Sequence, residues 1–291
     1  MATPHEWLEG ARPRTLPAAV SPVLAGTGVA AYFGGASWWR AALAMVVALA
    51  LQVAVNYAND YSDGIRGTDA DRVGPLRLVG SAASTPAAVK RAAFLAFGVA
   101  AVAGLALAAA TAWWLVALGA ACMVAAWFYT GGSSPYGYRG LGELMVFVFF
   151  GLVAVLGTTY VQLRSLPPAA WWASVGIGAL ACAILVANNL RDIPSDRDVG
   201  KRTLAVVLGD GRTRSLYLML FGVALVTLVG VAVTTTVWAL LGALCLLPLV
   251  PASVSVVGGA SGRDLIPVLR ATGLAELGYA AGLLAGLLLA A

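Results

Sequence analysis

Two Asp-rich phrases occur in this 291-residue chain, and each one follows a long apolar run. The first reads Asn56-Tyr-Ala-Asn-Asp60-Tyr-Ser-Asp63, and the second reads Asn188-Asn-Leu-Arg-Asp192-Ile-Pro-Ser-Asp196. Only 13 residues of the whole chain are acidic, so most of its carboxylates are concentrated near these two places. Carboxylate and amide oxygens grouped in this way suit Mg²⁺ held against a phosphorylated substrate.

The spacing of each phrase matches a helix. An Asn is followed by two Asp residues at helical intervals, as Asn56, Asp60 and Asp63 in the first phrase and as Asn188, Asp192 and Asp196 in the second. If the helix continues into the phrase, these side chains share one face, and they lie at the helix C-terminus, whose negative dipole favours cations. We predict that all six bind Mg²⁺ and that the four carboxylates are catalytic. The alternative, ordinary solvated carboxylates near the lipid headgroups, explains a pair of matching clusters less well than it explains one.

Basic residues are interleaved with the acidic ones. Arg72 follows the first phrase, and Lys201 and Arg202 follow the second. Guanidinium and ammonium groups donate directly to phosphate oxygens, and a diphosphate leaving group needs such donors as well as a metal ion. We therefore predict that these three bind diphosphate. Arg14 either joins them or anchors the first apolar run at the membrane surface.

The composition predicts which elements must position these residues. Hydrophobic residues make up 60% of the chain and charged residues 11%, whereas about 25% of residues are charged in soluble domains. We therefore predict an all-α, polytopic membrane protein that forms one domain over residues 1–291 and has about nine transmembrane helices around a central cavity. Apolar runs of about 20 residues, the length that crosses a bilayer, lie near 15–34, 40–59, 91–110, 113–130, 143–162, 170–190, 215–234, 238–257 and 267–289.

The distribution of charge predicts the orientation. With nine spans, all of the 18 Lys and Arg residues except Arg40 and Arg164 fall on one face, and basic residues accumulate on the cytoplasmic side. We predict an integral protein of the cell membrane whose N-terminus and Asp-rich phrases are cytoplasmic. The start of the chain predicts no cleaved signal peptide. The net charge of +5 follows from topology and anionic lipid, so no nucleic-acid partner is expected.

Several longer stretches carry a family resemblance. The two Asp-rich phrases resemble the motifs of the UbiA-type intramembrane aromatic prenyltransferases. Residues 56–77, 129–143 and 188–204, together with the opening Ala11-Arg12-Pro13-Arg14-Thr15-Leu16-Pro17, are similar to the branch of that family that serves menaquinone biosynthesis. The first phrase has Gly67 where many relatives place a further Asp, and Asp69 stands two residues later.

The resemblance implies a reaction. Such an enzyme would transfer a polyprenyl chain from its diphosphate to 1,4-dihydroxy-2-naphthoate, release CO₂ and diphosphate, and yield demethylmenaquinol. Mg²⁺ would neutralise the leaving group, and a cavity poor in water would protect the allyl cation. The sequence predicts neither the length of the prenyl chain nor the oligomeric state.

The acceptor site and one buried acid leave alternatives open. Tyr129, Tyr138 and Arg139 lie in a Gly-rich loop and either stack on or pair with the naphthoate, or form an ordinary interfacial turn. Glu276 lies near the middle of the last span, where ionisable groups are costly and usually functional; otherwise it pairs with Arg270 or caps a shallow helix.

Two other functions remain possible at this point. A sister UbiA-type enzyme with another aromatic acceptor would share both Asp-rich phrases. A secondary transporter would also contain acidic residues and repeats, but transporter sites usually lie near the membrane midplane. Mg²⁺-dependent release of diphosphate distinguishes either enzyme from a carrier.

Overall fold

The computed structural model describes residues 2–67 and 76–291, and Arg72 and Asp69 lie outside these ranges. The helices, in chain order, are α1 (Pro4–Gly10), α2 (Leu16–Tyr32), α3 (Trp38–Arg66), α4 (Pro86–Ala110), α5 (Trp114–Phe128), α6 (Gly142–Val146), α7 (Gly157–Leu163), α8 (Pro168–Asp198), α9 (Leu204–Leu208), α10 (Asp210–Thr234), α11 (Leu246–Val257) and α12 (Leu265–Leu289). A π-helical stretch, Phe147–Leu156, joins α6 to α7, and 3₁₀ turns span Pro13–Thr15, Tyr136–Arg139, Val237–Cys245 and Gly262–Asp264. The predicted all-α, multi-pass architecture is confirmed.

Within the described residues, eight helical segments are long and apolar enough to cross a membrane. They correspond to eight of the nine predicted spans. The fourth predicted span, 113–130, corresponds to α5, which has 15 residues and a length of about 22 Å. The hydrocarbon core is about 30 Å thick, so α5 is too short to qualify by length.

Polar contacts show where the two ends of α5 lie. Arg40, near the start of α3, donates from Nη2 to the Ala110 carbonyl at the end of α4 (3.0 Å). At the other end of α3, Arg66 donates to the Thr130 carbonyl, just after α5. The chain between residues 110 and 130 therefore runs from one end of α3 to the other. A count of nine transmembrane spans stays a prediction, which this path supports.

Three helices form the centre of the bundle. In the apolar windows of α2, α8 and α12, 61%, 72% and 56% of the residues are buried, against 28–33% in the other five segments. Small residues allow close packing here. A Cβ added at Gly151 would lie 2.7 Å from the Gly178 Cα, and one added at Gly286 would lie 1.9 Å from the Trp238 carbonyl oxygen.

Glu276 lies in the middle of α12 and is completely buried. Neither of its carboxylate oxygens has a hydrogen-bond partner among the described residues, and Arg270 is exposed. The alternative in which Arg270 pairs with Glu276 is therefore not realised.

The segment that returns to the described chain at residue 76 folds back onto the end of α3. Leu78 is fully buried in a cluster with Tyr57 and Val89. A Cβ added at Gly64 would clash with the Val79 Cγ1 atom. A glycine is therefore needed at position 64 for the returning segment to pack this closely against α3. The segment thus covers the helix end that carries the first Asp-rich phrase.

Candidate active site

Both Asp-rich phrases lie inside helices rather than in loops. α3 continues to Arg66 and α8 to Asp198, as the helical spacing required. Each phrase turns its acidic side chains inward, because the relative exposures are 1% for Asp60, 3% for Asp63, 4% for Asp192 and 8% for Asp196. Buried carboxylates need partners, and those partners define the site.

Asp60 binds the returning segment through both of its carboxylate oxygens. Oδ2 accepts from the Leu78 backbone N–H (2.7 Å) and Oδ1 accepts from that of Val79 (3.0 Å). The positive charge of Arg12, which has left-handed backbone geometry (φ 55°), also acts on Asp60. Each ionised oxygen has a second lone pair, so these bonds still leave Asp60 able to coordinate a cation.

Asp63, one turn later, is held by two side chains. The Tyr138 hydroxyl donates to Oδ1, and the Arg77 guanidinium lies 3.7 Å from Oδ2. Arg77 is itself 9% exposed. Its position beside a motif carboxylate favours a role at the site over a role as a membrane-surface anchor.

The second phrase is organised by Arg191. Its Nε and Nη2 atoms donate to the two oxygens of Asp192 (2.6 and 2.8 Å), and Nη2 also donates to the Asn188 Oδ1 atom (2.9 Å). The neighbouring Asn189 donates to Glu143 (2.9 Å). The side chains of Asn188, Asn189, Arg191 and Asp192 are therefore all hydrogen-bonded.

Tyr138 connects the two phrases. The centre of its ring lies 4.5 Å from the Lys201 Nζ atom and 5.7 Å from the Arg66 guanidinium carbon, both within cation–π range. Its hydroxyl reaches Asp63. The Lys201 backbone N–H donates to the Asp196 carbonyl (2.8 Å). Both phrases therefore lie at one end of the bundle, on either side of this ring.

Other predicted site residues have different surroundings. Asn56 donates to the Ala11 carbonyl (2.9 Å) and to the Thr15 hydroxyl (3.0 Å), so its side chain holds the turn before α2. The side chains of Arg14, Arg139 and Arg202 are exposed, although the Arg202 backbone N–H donates to the Tyr138 carbonyl (3.0 Å). Their predicted roles in binding diphosphate or the acceptor stay predictions.

The donor chemistry at this end suits Mg²⁺, although the carboxylates are not clustered. Across residues 2–67 and 76–291, no three His, Cys, Asp or Glu side chains are arranged to hold a metal ion. In this structure Arg191 binds both oxygens of Asp192, and backbone amides bind those of Asp60. The oxygens are nevertheless of the hard type that Mg²⁺ prefers. Magnesium binding by these four carboxylates and by Asn56 and Asn188 therefore stays a prediction.

An apolar cavity of about 360 Å³ begins beside the first phrase. Its polar end is lined by Asn56, Asn59, Tyr129 and Tyr136, and most of its remaining wall is aliphatic or aromatic. Burial raises the pKa of Tyr136 to about 12, and its hydroxyl donates to the Ala125 carbonyl (2.7 Å). Tyr136 therefore remains a neutral phenol at physiological pH. The predicted acceptor residue Tyr129 lies in the wall of this cavity. The ring of Tyr138, the other tyrosine predicted to bind the acceptor, lies against the Lys201 and Arg66 side chains.

Four polar residues of this region were not among the predicted site residues: Arg12, Asn59, Arg77 and Arg191. Asn59 lines the cavity and accepts from the Thr130 hydroxyl (2.7 Å). Arg191 immediately precedes Asp192, so its presence inside the helical phrase could have singled it out. Arg77 follows the first phrase in sequence, which left it open between a phosphate donor and a membrane-surface anchor. Arg12 had no such signal, because its proximity depends on how the turn before α2 folds back.

Replacing Arg191 by Ala is expected to destabilise the protein by about 3–5 kcal/mol, because it removes the guanidinium that binds both oxygens of the buried Asp192 carboxylate. Arg191→Lys keeps the charge but loses the two-pronged geometry, so it should recover part of the loss. Thermal unfolding in detergent would measure both. Arg212→Ala, at an exposed arginine, is the control, and an Arg191→Ala protein as stable as this control would contradict the expectation.

Comparison with known proteins identifies the family. Residues 19–264 match the model of the UbiA prenyltransferase family. The chain belongs to this family. It is 56% identical to the 1,4-dihydroxy-2-naphthoate octaprenyltransferase of Mycobacterium tuberculosis (strain ATCC 25618 / H37Rv) over 96% of each chain. It is 42% identical to the enzyme of the same name from Escherichia coli (strain K12), over 76% of this chain and 74% of that one.

Solved structures of UbiA homologues share the fold. The apo structure of the homologue from Aeropyrum pernix K1 matches with a TM-score of 0.71 at 17% identity, covering 94% of this chain and 97% of that one. The homologue from Archaeoglobus fulgidus, solved with GPP and Mg²⁺ bound, matches with a TM-score of 0.69 at 12% identity, covering 96% and 99%. The chain is thus an integral membrane prenyltransferase with the UbiA fold.

Proposed function

We propose that this UbiA-family enzyme transfers a polyprenyl chain from polyprenyl diphosphate to 1,4-dihydroxy-2-naphthoate, with loss of CO₂ and diphosphate, and so produces demethylmenaquinol. The observation that carries this proposal is the continuity between a charged site and an apolar cavity. Asn56 and Asn59 line the cavity, and Asp60 and Asp63 follow them on the same helix. A polyprenyl diphosphate has this same division between a charged head and an apolar tail.

The acceptor is inferred from the relatives. The proteins from M. tuberculosis and E. coli are both named for 1,4-dihydroxy-2-naphthoate, and the first of them matches nearly the full chain. In this chain, the aromatic pair Tyr129 and Tyr136, with ring centres 5.5 Å apart, stands at the polar end of the cavity. We place the naphthoate ring against this pair, where it would meet the first carbon of the prenyl tail.

The proposed reaction needs no general base from the protein. The allylic C–O bond breaks and its electron pair leaves with the diphosphate; the ring carbon bearing the carboxylate then forms the new C–C bond. Loss of CO₂ returns an electron pair to the ring and restores its aromaticity, so no ring proton has to be removed.

The motif residues would stabilise the leaving group. Lys201, 8% exposed and positioned against Tyr138, would bind diphosphate oxygens directly, together with Arg72, Arg202 and, at the turn before α2, Arg14. Mg²⁺ bound by Asp60, Asp63, Asp192 and Asp196 would supply Lewis-acid neutralisation of the diphosphate charge. The apolar wall keeps water from the allyl cation.

We also infer that the protein lies in the cell membrane with this end on the cytoplasmic side. The two basic residues predicted for the opposite face, Arg40 and Arg164, both donate to the Ala110 carbonyl, at the end of the bundle away from the Asp-rich phrases. The basic side chains around Tyr138 lie at the other end. This asymmetry follows the positive-inside rule.

Purified protein incubated with Mg²⁺, polyprenyl diphosphate and carboxyl-labelled 1,4-dihydroxy-2-naphthoate should release labelled CO₂ and yield the prenylated naphthalenediol by mass spectrometry. A parallel incubation with 4-hydroxybenzoate tests the sister activity. Prenylation of 4-hydroxybenzoate in place of the naphthoate would overturn the proposed acceptor. Prenylated product that retains the carboxyl group would overturn the decarboxylation step.

A further inference from the structure

The cavity extends along most of the bundle. On α3 its wall runs from Asn59 to Ala44, and 15 residues of helix correspond to about 22 Å. Asn59 lies at the end with the Asp-rich phrases, and Ala44 lies near the opposite end. Beyond the polar residues at its start, the wall is lined largely by aliphatic and aromatic side chains. They come from α2 to α5 and from the helix of residues 142–163, which consists of α6, the π-helical stretch and α7.

A second cavity, of about 270 Å³, meets the first at its far end. Leu118, Val153 and Gly157 line both cavities. The second cavity lies between α5 and residues 152–160 of the helix 142–163, where the centres of the Trp114 and Tyr160 rings are 5.3 Å apart. No residue of α5 is fully buried, so this side of the bundle faces lipid. The two adjacent spaces, here called the passage, reach from the charged site to the lipid-facing side of the bundle.

Glycines line the far part of this passage without a packing reason. Gly104, Gly119 and Gly157 are lining residues, and a Cβ added at any of them would meet nothing within 4 Å. Elsewhere in the bundle, as at Gly151 and Gly178, glycine allows two helices to touch. Alanine stabilises a helix more than glycine does, and at these three positions the missing Cβ adds to the open space of the passage.

We propose that Gly157, which lines both cavities, determines which polyprenyl tails the enzyme accepts, because a long tail has to bend there from the first cavity into the second. Units close to the diphosphate occupy the first cavity; units further along turn past Gly157 and leave between α5 and the helix of residues 142–163 into lipid. The inference rests on the proposed function, because that function supplies a long apolar tail continuous with the charged site. Gly104 and Gly119 line the first cavity only.

The test compares Gly157→Leu with Gly98→Leu. Gly98 lies on α4, is exposed, is not a lining residue, and also has open space around an added Cβ, so it reports the effect of a new leucine in a transmembrane helix. Turnover is measured with geranyl, farnesyl, geranylgeranyl and octaprenyl diphosphate. We expect Gly157→Leu to lower the ratio of octaprenyl to geranyl kcat/KM at least tenfold, whereas Gly98→Leu keeps the wild-type ratio.

Binding separates failure of this inference from failure of the proposed function. Thermal stabilisation by each diphosphate needs no acceptor, so it tests the passage even if the wild type does not prenylate 1,4-dihydroxy-2-naphthoate. An unchanged length profile in Gly157→Leu, in both turnover and binding, would overturn the role of Gly157. If that variant does not fold, Gly119→Leu and Gly157→Ala are measured in its place. Equal losses for all tail lengths would also overturn the inference.

Discussion

Asp196→Asn is expected to lower the rate of diphosphate release by about 100-fold or more, the scale seen when one preorganised electrostatic contact to developing charge is removed. Asp196 is 8% exposed, lies on the inner face of α8 together with Asp192, and its backbone is bonded to that of Lys201. The Asn side chain has nearly the same shape but carries no charge. The measurement is a coupled assay of diphosphate release at saturating substrate and Mg²⁺.

Asp198→Asn is the matched control for this change. Asp198 ends the same helix two residues later and is exposed, so its substitution alters the net charge equally but leaves the inner face intact. It should retain activity close to that of the wild type. Asp196→Asn with near-normal turnover at saturating Mg²⁺, or equal losses in the two variants, would remove Asp196 from the proposed metal ligands. Comparable unfolding temperatures would show that neither change acts through folding.

The helices that carry the site follow from sequence because two simple patterns coincide. Apolar runs of membrane-crossing length predicted α3 and α8, and the helical spacing of the acidic residues predicted that both helices continue through the phrases. The inward orientation of Asp60 and Asp63 agrees with that spacing. Hydropathy predicted the length of α5 less well. The apolar run 113–130 is long enough to cross a bilayer, whereas the helix itself has 15 residues, because hydropathy does not show where a helix within an apolar run begins and ends.

The partners of the carboxylates depend on tertiary contacts and could not be read in this way. Asp60 is bonded to backbone amides of Leu78 and Val79, and backbone groups carry no sequence signature. Gly64 makes that approach possible, but glycine is frequent in this chain and has many roles. The proximity of Arg12 to Asp60 was equally hidden, because it depends on the turn before α2, where Arg12 has left-handed backbone geometry.

The cavity illustrates the same limit. Most of its lining residues are Ala, Val, Leu, Gly or Phe, and these also face lipid elsewhere, so composition cannot distinguish an inner wall from an outer one. Hydrophobic patterning distinguishes residues that face water from residues that do not. It does not distinguish residues that face lipid from residues that face an apolar substrate. Only coordinates assign Gly157 to the passage and Gly98 to the outside.

Tyr138→Ala is expected to reduce kcat/KM for polyprenyl diphosphate by more than Tyr138→Phe does. Both variants lose the hydroxyl that donates to Asp63, and loss of a hydrogen bond to a charged group costs about 1.5–3 kcal/mol. Only the Ala variant also loses the ring that lies against Lys201 and Arg66, a contact worth about 0.5–2 kcal/mol for each cation.

The distribution of these losses between substrates tests what Tyr138 does. If it positions Asp63 and Lys201 for the diphosphate, both variants should raise the KM for polyprenyl diphosphate or lower kcat, while the KM for 1,4-dihydroxy-2-naphthoate changes little. Tyr32→Phe is the control, because that hydroxyl lies at the end of α2 away from the site and donates to the Thr235 backbone carbonyl (2.8 Å). A rise confined to the KM for the naphthoate would return Tyr138 to the acceptor site, where its ring would have to release Lys201 in order to stack on the substrate.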